Sequence, residues 1–459
     1  MTLHIDDLQG LNPVRLASMP IAHSEGGMQT LLRSTQEPVA LTGSRHSQGG
    51  HTVYPNAMAI LTEPMNRVLH IDREQRTVTA QAGTTWSVLH AHLAPLGLAP
   101  LVQQSSPHFT LGGSISVNCH GRDPGQGPLA NNIVSLDVLV PSPAGPKPQT
   151  VTPGDALFKA VVGGYGSAAV IVNATLKATA NTMLRQRSVE MGLQAYAQEM
   201  ADRQSLGQWP ALHFAWLNFS AKALFTSVLK VDCEPVEGQV GTVLTEDGWL
   251  EIELMRWLWE QHSQNGGAGN YRNKVWNTLV TWFKSQNHEN NGQGKQLSRI
   301  DWLRQSVGFT AHRSETHASL LQEYFIPIDR LTPFVTALGA LLQKHKVNLL
   351  SSTVRVVQQE EQPSYLSYAP DQAMACIALD FESPLVSGPT AHSRMPALAT
   401  FRWVRQAIDL ALAHQGRYYL PYYGFATREQ FRRAYRHAEA QRQARNPQLN
   451  NLFIDVYLV

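Results

Sequence analysis

Only three cysteines (Cys119, Cys233 and Cys376) occur in 459 residues, and none stands in a C-x-x-C pair. A disulfide framework, structural zinc and thioredoxin-like redox chemistry are therefore excluded, and the pattern suits a reducing compartment. No excess of one charge exists either: 37 basic residues face 35 acidic ones, a net +2. No global field then draws the chain to nucleic acid or a membrane. No run approaches the roughly 18 apolar residues of a membrane span. Residues 1–20 carry Asp6 and Asp7 and lack the apolar core of a signal peptide, so a cytoplasmic location is expected. G-x-x-x-x-G-K-[ST], H-E-x-x-H and G-x-S-x-G are all missing. P-loop phosphoryl transfer, zincin chemistry and α/β-hydrolase chemistry go with them, and no metal is expected.

What is present is a large store of apolar material, 43% of residues against 16% charged, enough for about two or three folded domains. The first 180 residues read as short elements punctuated by glycine. Pro38 to Thr42 is a strand running into Gly43. Thr77 to Ala82 alternates as a half-buried strand should, and Gly83 ends it. Thr84 or Thr85 then caps a helix with Trp86, Leu89 and Leu93 on one face, stopped by Pro95 and Gly97. Ile133 to Val140 reads as a strand, Asp155 to Val162 as a helix and Ala168 to Leu176 as a buried strand. From Asn181 to about His414 the segments lengthen, and tryptophans gather at 209, 216, 249, 257, 259, 276 and 282, a pattern of core packing. A helix through Phe401, Val404, Ile408 and Leu412 is closed by Gly416. Thr427 to Arg445 reads as one arginine-rich helix whose charged face is solvated rather than bound to nucleic acid.

Three glycine-rich loops carry most of the chemical information. Gly43-Ser44-Arg45-His46-Ser47-Gln48-Gly49-Gly50 follows a strand and offers successive backbone amides, as a diphosphate requires. The segment from Thr110 through Gly112, Gly113, Ser114, Ser116, Asn118 and His120 to Gly121 flanks a short alternating stretch with glycine, so backbone can approach a flat or phosphorylated ligand. Gly164-x-Gly166-x-x-Ala169 matches the dinucleotide fingerprint formally, but a helix precedes it and a strand follows. The Rossmann turn needs the reverse order, so a nicotinamide domain is excluded.

In their order, "GSRHSQGG", "QAGTTW", "TLGGSISVNCHG", "NNIVSLDVLV" and "LFKAVVGGYGSAAVIVNATL" resemble the FAD-binding domain of the vanillyl-alcohol oxidase / p-cresol methylhydroxylase superfamily. The tail "GRYYLPYYGFATREQFRRAY" with "NPQLNNLF" is similar to the family's C-terminal return. The most similar branches are the alditol and sugar-lactone oxidases and the decaprenylphosphoryl-ribose oxidases. The resemblance implies an α+β, two-domain flavoprotein. Its FAD-binding domain would be discontinuous (residues 1–182 and 416–459) around a larger mixed-sheet substrate domain (residues 183–415). It further implies FAD contacts from Thr42, Gly43, Ser44, Arg45, His46, Ser47 and Gln48 and from Gly112, Gly113, Ser114, Ser116 and Asn118. His120 and Gly121 would lie near the flavin ring, and Gly163, Gly166 and Val170 on the adenosine side. Relatives with histidine at the position of His46 often bond it covalently to the flavin.

In the middle region, Glu323-Tyr324-Phe325-Ile326-Pro327 and Thr353-Val-Arg355 look familiar. Period two puts Glu323 with Phe325, and Thr353 with Arg355. Alditol oxidases have an acid where this chain has Thr353, and several relatives have a lysine where it has Tyr422. The expected function is hydride transfer from an alcohol carbon (sugar- or polyol-like), or an amine carbon, of a small polar substrate to FAD. Oxygen or another acceptor would reoxidise the flavin. Tyr422, Arg355 and Glu323 would serve the substrate: Arg355 would lower the phenol pKa, and burial would raise that of Glu323. The alternative is a catalytically silent FAD-binding or assembly module.

Overall fold

The computed structural model describes residues 3–220, 224–241, 269–288, 292–304, 316–388 and 393–459. Trp249, Trp257 and Trp259 lie outside them. Among the described residues no helix is long and apolar enough to cross a membrane.

In the N-terminal part a six-stranded sheet is organised around Val170–Ala180. This strand pairs antiparallel with Thr77–Gln81 on one side, Ile133–Val140 on the other and Leu98–Pro100 near its end. The alternation in Thr77–Gln81 buries Val78 and Ala80 against the helix Trp86–Leu93, which Thr85 caps. Trp86 is fully buried, and its indole N–H donates to Ser114 Oγ at 3.0 Å. That bond pins the second glycine loop to the core. The helix Ala156–Val161 precedes the third loop and Val170–Ala180 follows it, the order that excludes a Rossmann turn. A separate parallel pair, Val39–Thr42 with Met58–Leu61, leads into the first loop.

The second sheet has nine strands among the described residues. Every ladder in it is antiparallel, so the expected mixed pairing is absent. Leu212–Leu217 and Ser227–Pro235 follow one another as an antiparallel hairpin, and Met183–Gly192, separated from them in the chain by the helix Leu193–Leu206, pairs antiparallel with the outer side of Ser227–Pro235. One face is covered by Leu193–Leu206, Leu331–Lys344 and Leu398–Ala413, which bury Ile377, Leu379 and Phe381. Trp276 is buried in this core, and Trp209, Trp216 and Trp282 pack against it. The opposite face carries the polar side chains discussed below.

Two helix ends differ from expectation. The helix Leu398–Ala413 ends with Gln415, not Gly416, in the left-handed region (φ 61°). The arginine-rich C-terminal segment is two helices, Arg428–Ala434 and Ala438–Ala444. Tyr435 breaks the run with non-helical backbone (φ −119°, ψ 89°), and its buried side chain packs on Tyr418. Arg428 donates to the carbonyls of Asp455 and Val456, and Arg433 pairs with Asp409. The chain then returns to its beginning: the Val39 amide donates to Gln448 O at 2.8 Å, and the Asn446 amide to Ser167 O at 2.8 Å.

On the polar face of the larger sheet, Asp380 is buried and its Oδ1 accepts from Ser319 Oγ at 3.0 Å. Burial, with Glu382 adding to it, pushes this carboxyl from 3.8 up to about 8. Between those values the folded chain keeps a proton that the unfolded chain has released, so Asp380 costs stability as pH rises from about 4 to about 8. Asp380→Asn is expected to flatten that slope and to gain a few kcal/mol at the alkaline end, at about 1.4 kcal/mol per pKa unit. Urea unfolding across the range checks this, and a variant weaker than the parent at the alkaline end contradicts it.

Candidate functional site

The first loop leaves the strand Val39–Thr42 at a buried Thr42, whose hydroxyl donates to Thr52 O at 3.1 Å. The amides of residues 43–50 donate to no group among the described residues. With Arg45 in the left-handed region (φ 56°), this run forms a nest of free N–H groups, the backbone shape that holds anions. A Cβ on Gly43 would lie 2.6 Å from Thr110 Oγ1, so glycine permits the first and second loops to approach. Ser47 O accepts from the Leu8 amide, and Gln48 Oε1 accepts from the Leu321 amide at 3.4 Å, reaching the larger sheet. His46 is half-buried, edge-on to Phe109 with ring centroids 4.7 Å apart, and its Nδ1 meets Ser44 Oγ at 3.1 Å. Burial, aided by the charge of His108, lowers its pKa, so the ring is neutral and nucleophilic near neutral pH.

The second loop is helical rather than extended. Thr110 caps Leu111–Ser116 by accepting from the Gly113 amide, and that cap overrides the apparent alternation through Ile115 and Val117. The Gly112 amide donates to Ala82 O at 2.7 Å, and the Ser114 hydroxyl is spent on Thr110 O. Asn118 takes a positive φ of 47°; its Oδ1 accepts from the Ala130 amide, and its side chain also reaches the buried Glu360 carboxyl. The third loop docks on this helix: Gly163 N donates to Ile115 O at 3.0 Å and Tyr165 N to Ser116 O at 2.9 Å. Gly166 (φ 71°) follows in the turn, and Val170 opens the central strand.

Opposite these loops stands the polar face of the larger sheet. Met374–Ser387 lies between His317–Pro327 and Asn348–Val357, so register fixes two rows. Glu323, Ala378 and Thr353 form one; Phe325, Cys376 and Arg355 form the next. The faces expected from period two are those observed: Tyr324 and Ile326 enter the helical core, while Phe325 joins Tyr368, Cys376 and Tyr419 on the other side.

Glu323 is the hub. Its Oε1 accepts from the Tyr422 hydroxyl at 2.6 Å, and its Oε2 accepts from His120 Nε2 at 2.9 Å and from the Cys376 thiol at 3.4 Å. Arg355 donates to Ser105 Oγ and contributes positive charge to the same carboxyl. Phe325, Tyr368 and Tyr419 surround the His120 ring at centroid distances of 5.3, 5.9 and 5.7 Å. The Tyr419 and Tyr368 hydroxyls donate to backbone carbonyls of Val117 and Asn118, fastening the sheet to the second loop.

The proton bias reverses the expected one. Burial alone would raise the Glu323 pKa, but the electrostatics and hydrogen bond of His120, the charge of Arg355 and the Tyr422 donor outweigh it. The carboxyl is held well below the usual carboxylate range. Tyr422 shifts upward instead of down: burial, then the Glu323 charge and hydrogen bond, push the phenol well above its ordinary range, and Arg355 offsets this only in part. At neutral pH the pair is a phenol donating to a carboxylate.

The structure thus brings Tyr422 and Glu323 into contact, with Arg355 in the neighbouring row. Sequence reasoning set His120 beside the cofactor but did not pair it with Glu323, which is 203 residues away. Cys376 and Ser105 were not recognised as neighbours of the site. Nothing local marks Cys376; only the register of Met374–Ser387 against both neighbours puts it between Phe325 and Arg355.

The donor inventory fits a flavin dinucleotide. Free amides line residues 43–50, and the buried atom His120 Nδ1 has no partner among the described residues. Residues 24–142 match the family model described as an FAD binding domain. The chain is similar to decaprenylphosphoryl-beta-D-ribose oxidase of Mycolicibacterium smegmatis, 28% identical over 34% of this chain and 33% of that protein. It is also similar to L-gulonolactone oxidase of Scyliorhinus torazame, 29% identical over 32% of this chain and 33% of that protein. The matched region thus spans about a third of these curated relatives. In fold the whole chain resembles a solvent-stable cholesterol oxidase (TM-score 0.71, 15% identity, 100% of this chain and 98% of that one). Cholesterol oxidase from B. sterolicum is comparable (TM-score 0.70, 12% identity, 100% and 97%).

Proposed function

We propose that the chain, whose residues 24–142 match an FAD binding domain and whose whole fold resembles cholesterol oxidases, is a flavoprotein of the vanillyl-alcohol oxidase / p-cresol methylhydroxylase type that oxidises a CH–OH group of a small, sugar- or polyol-like substrate. An amine carbon is the lesser option. The observation that carries this reading is the Tyr422–Glu323–His120 chain, with contacts of 2.6 and 2.9 Å, because His120 belongs to the glycine-loop segment and Glu323 to the opposing sheet. Sugar-like substrates are favoured by the names of the curated relatives, a ribose oxidase and lactone oxidases.

Bound FAD would supply a hydride acceptor, reoxidised by oxygen or another acceptor. The free amides of residues 43–50 would hold its diphosphate, the helix Leu111–Ser116, whose own amides are already bonded, would pack beside it, His120 and Gly121 would lie by the ring, and Gly163, Gly166 and Val170 would lie toward the adenosine. The substrate hydroxyl would donate to Tyr422 Oη while Tyr422 passes its own proton to Glu323 Oε1. Glu323 is ionised and so open to that proton, but its depressed pKa makes it a weak base, so hydride loss from the substrate has to drive the transfer. Arg355 would stabilise negative charge developing on the substrate oxygen. Phe325, Tyr368 and Tyr419 would keep water from the relay.

We also propose that His46 carries the flavin covalently, on the strength of its place in the first loop and its neutral ring. A denaturing gel of purified protein is expected to show a fluorescent flavin band that vanishes in His46→Ala. Release of all the flavin into the supernatant on acid precipitation of the parent contradicts the linkage.

A further inference from the structure

Beyond the relay, Glu323 holds a third neighbour that the proposed chemistry leaves unused. His120 Nε2, Glu323 Oε2 and Cys376 Sγ lie 2.9, 3.4 and 3.7 Å apart in pairs. All three residues are buried, at 3%, 7% and 1% exposure. We propose that this trio is a binding site for a borderline-soft divalent cation of the zinc type.

The donor chemistry is that of zinc: one imidazole nitrogen, one thiolate and one carboxylate oxygen, with a position left for water. Zinc bonds of about 2.0–2.3 Å in a tetrahedron put neighbouring ligand atoms about 3.3–3.6 Å apart. The observed triangle already has nearly those edges, so coordination needs movements of only tenths of an ångström. The ligands sit on rigid elements. Glu323 and Cys376 are on neighbouring strands, and His120 is wedged among Phe325, Tyr368 and Tyr419. An outer layer is also in place, since the Tyr422 hydroxyl holds the second carboxylate oxygen and so orients the first.

Binding releases both the Cys376 thiol proton and the His120 Nε2 proton to solvent and leaves the remaining imidazole proton on Nδ1, the atom without a partner among the described residues. Cys376 faces Glu323, His120 and Arg355, and Tyr422 closes the ring of titratable groups around the carboxyl. An occupied site engages the carboxylate that the relay needs, so the cation would act as a reversible inhibitor.

Cobalt(II) added to the purified holoprotein tests this without turnover, and therefore independently of the proposed reaction. The expected result is a single equivalent with tetrahedral visible bands and a thiolate-to-cobalt charge-transfer band, displaced by zinc. Cys376→Ser is expected to abolish the charge-transfer band and weaken zinc by on the order of 100-fold or more, while Cys119→Ser and Cys233→Ser keep both. Zinc-edge X-ray absorption of the unmutated protein is expected to show one sulfur at about 2.3 Å, which needs no variant to fold. A zinc shell of nitrogen and oxygen alone, or a charge-transfer band that survives in Cys376→Ser, overturns the proposal.

Discussion

Replacing Tyr422 with phenylalanine is expected to slow flavin reduction by on the order of 10²-fold or more while leaving the bound flavin's spectrum unchanged. The phenol is the hydrogen-bond donor to Glu323 Oε1, at 2.6 Å, and phenylalanine deletes that link while retaining the ring beside Tyr419. Glu323→Gln is expected to cost at least as much, since it removes the proton's destination and leaves His120 without its carboxylate. The pH profile follows from the direction of the Glu323 shift. A carboxyl held down by His120, Arg355 and Tyr422 stays ionised as pH falls through the ordinary glutamate value of about 4.3. The relay should therefore fail only below that value, as protons reach the depressed pKa. A Tyr422→Phe variant that changes substrate affinity but not the limiting reduction rate would show that the phenol merely shapes the pocket.

Removing the cation at Arg299 is expected to cost about 3–5 kcal/mol of stability, the typical penalty for breaking a buried ion pair. Arg299 and Asp123 are each 5% exposed, and their side chains pair directly. Arg299 also donates to Pro100 O and Leu101 O, so one guanidinium fastens two stretches of the N-terminal part to the larger sheet's flank. Those stretches run on to Ser105, which holds Arg355, and back to His120, which holds Glu323. Arg299→Met leaves Asp123 buried without its partner, and burial already pushes that carboxyl's pKa upward. Urea unfolding measures the loss, and adding Asp123→Asn should restore part of it. A loss under about 1 kcal/mol, the range of exposed pairs, would mean that the clamp carries little.

Much of the first 180 residues was legible because local chemistry decides it. Thr85 caps its helix, Gly97 ends the turn after it at φ 68°, and the third loop follows a helix and precedes a strand. The second loop was misread because glycine, serine, isoleucine and valine give an extended-looking alternation. The cap at Thr110 and the Trp86 bond to Ser114 decide for helix there. In the larger sheet, period two put Glu323 and Phe325 on the correct face, since that depends only on the strand itself. Which residues meet Glu323 depends on register and on contacts across hundreds of residues, so His120 and Cys376 escaped notice. The proton bias escaped for the same reason. Burial is foreseeable from an apolar strand, but the donors that overcome it at Glu323 come from three other segments.

The most direct test is anaerobic mixing of the purified yellow protein with a panel of sugars, polyols and hydroxy-lactones, followed by flavin absorbance. The account predicts that at least one of them bleaches the flavin rapidly, that oxygen or an artificial acceptor restores the colour, and that Tyr422→Phe bleaches on the order of 10²-fold more slowly. A protein whose flavin dithionite bleaches but no alcohol in the panel does would contradict it, and would leave a flavin-binding module in place of an enzyme.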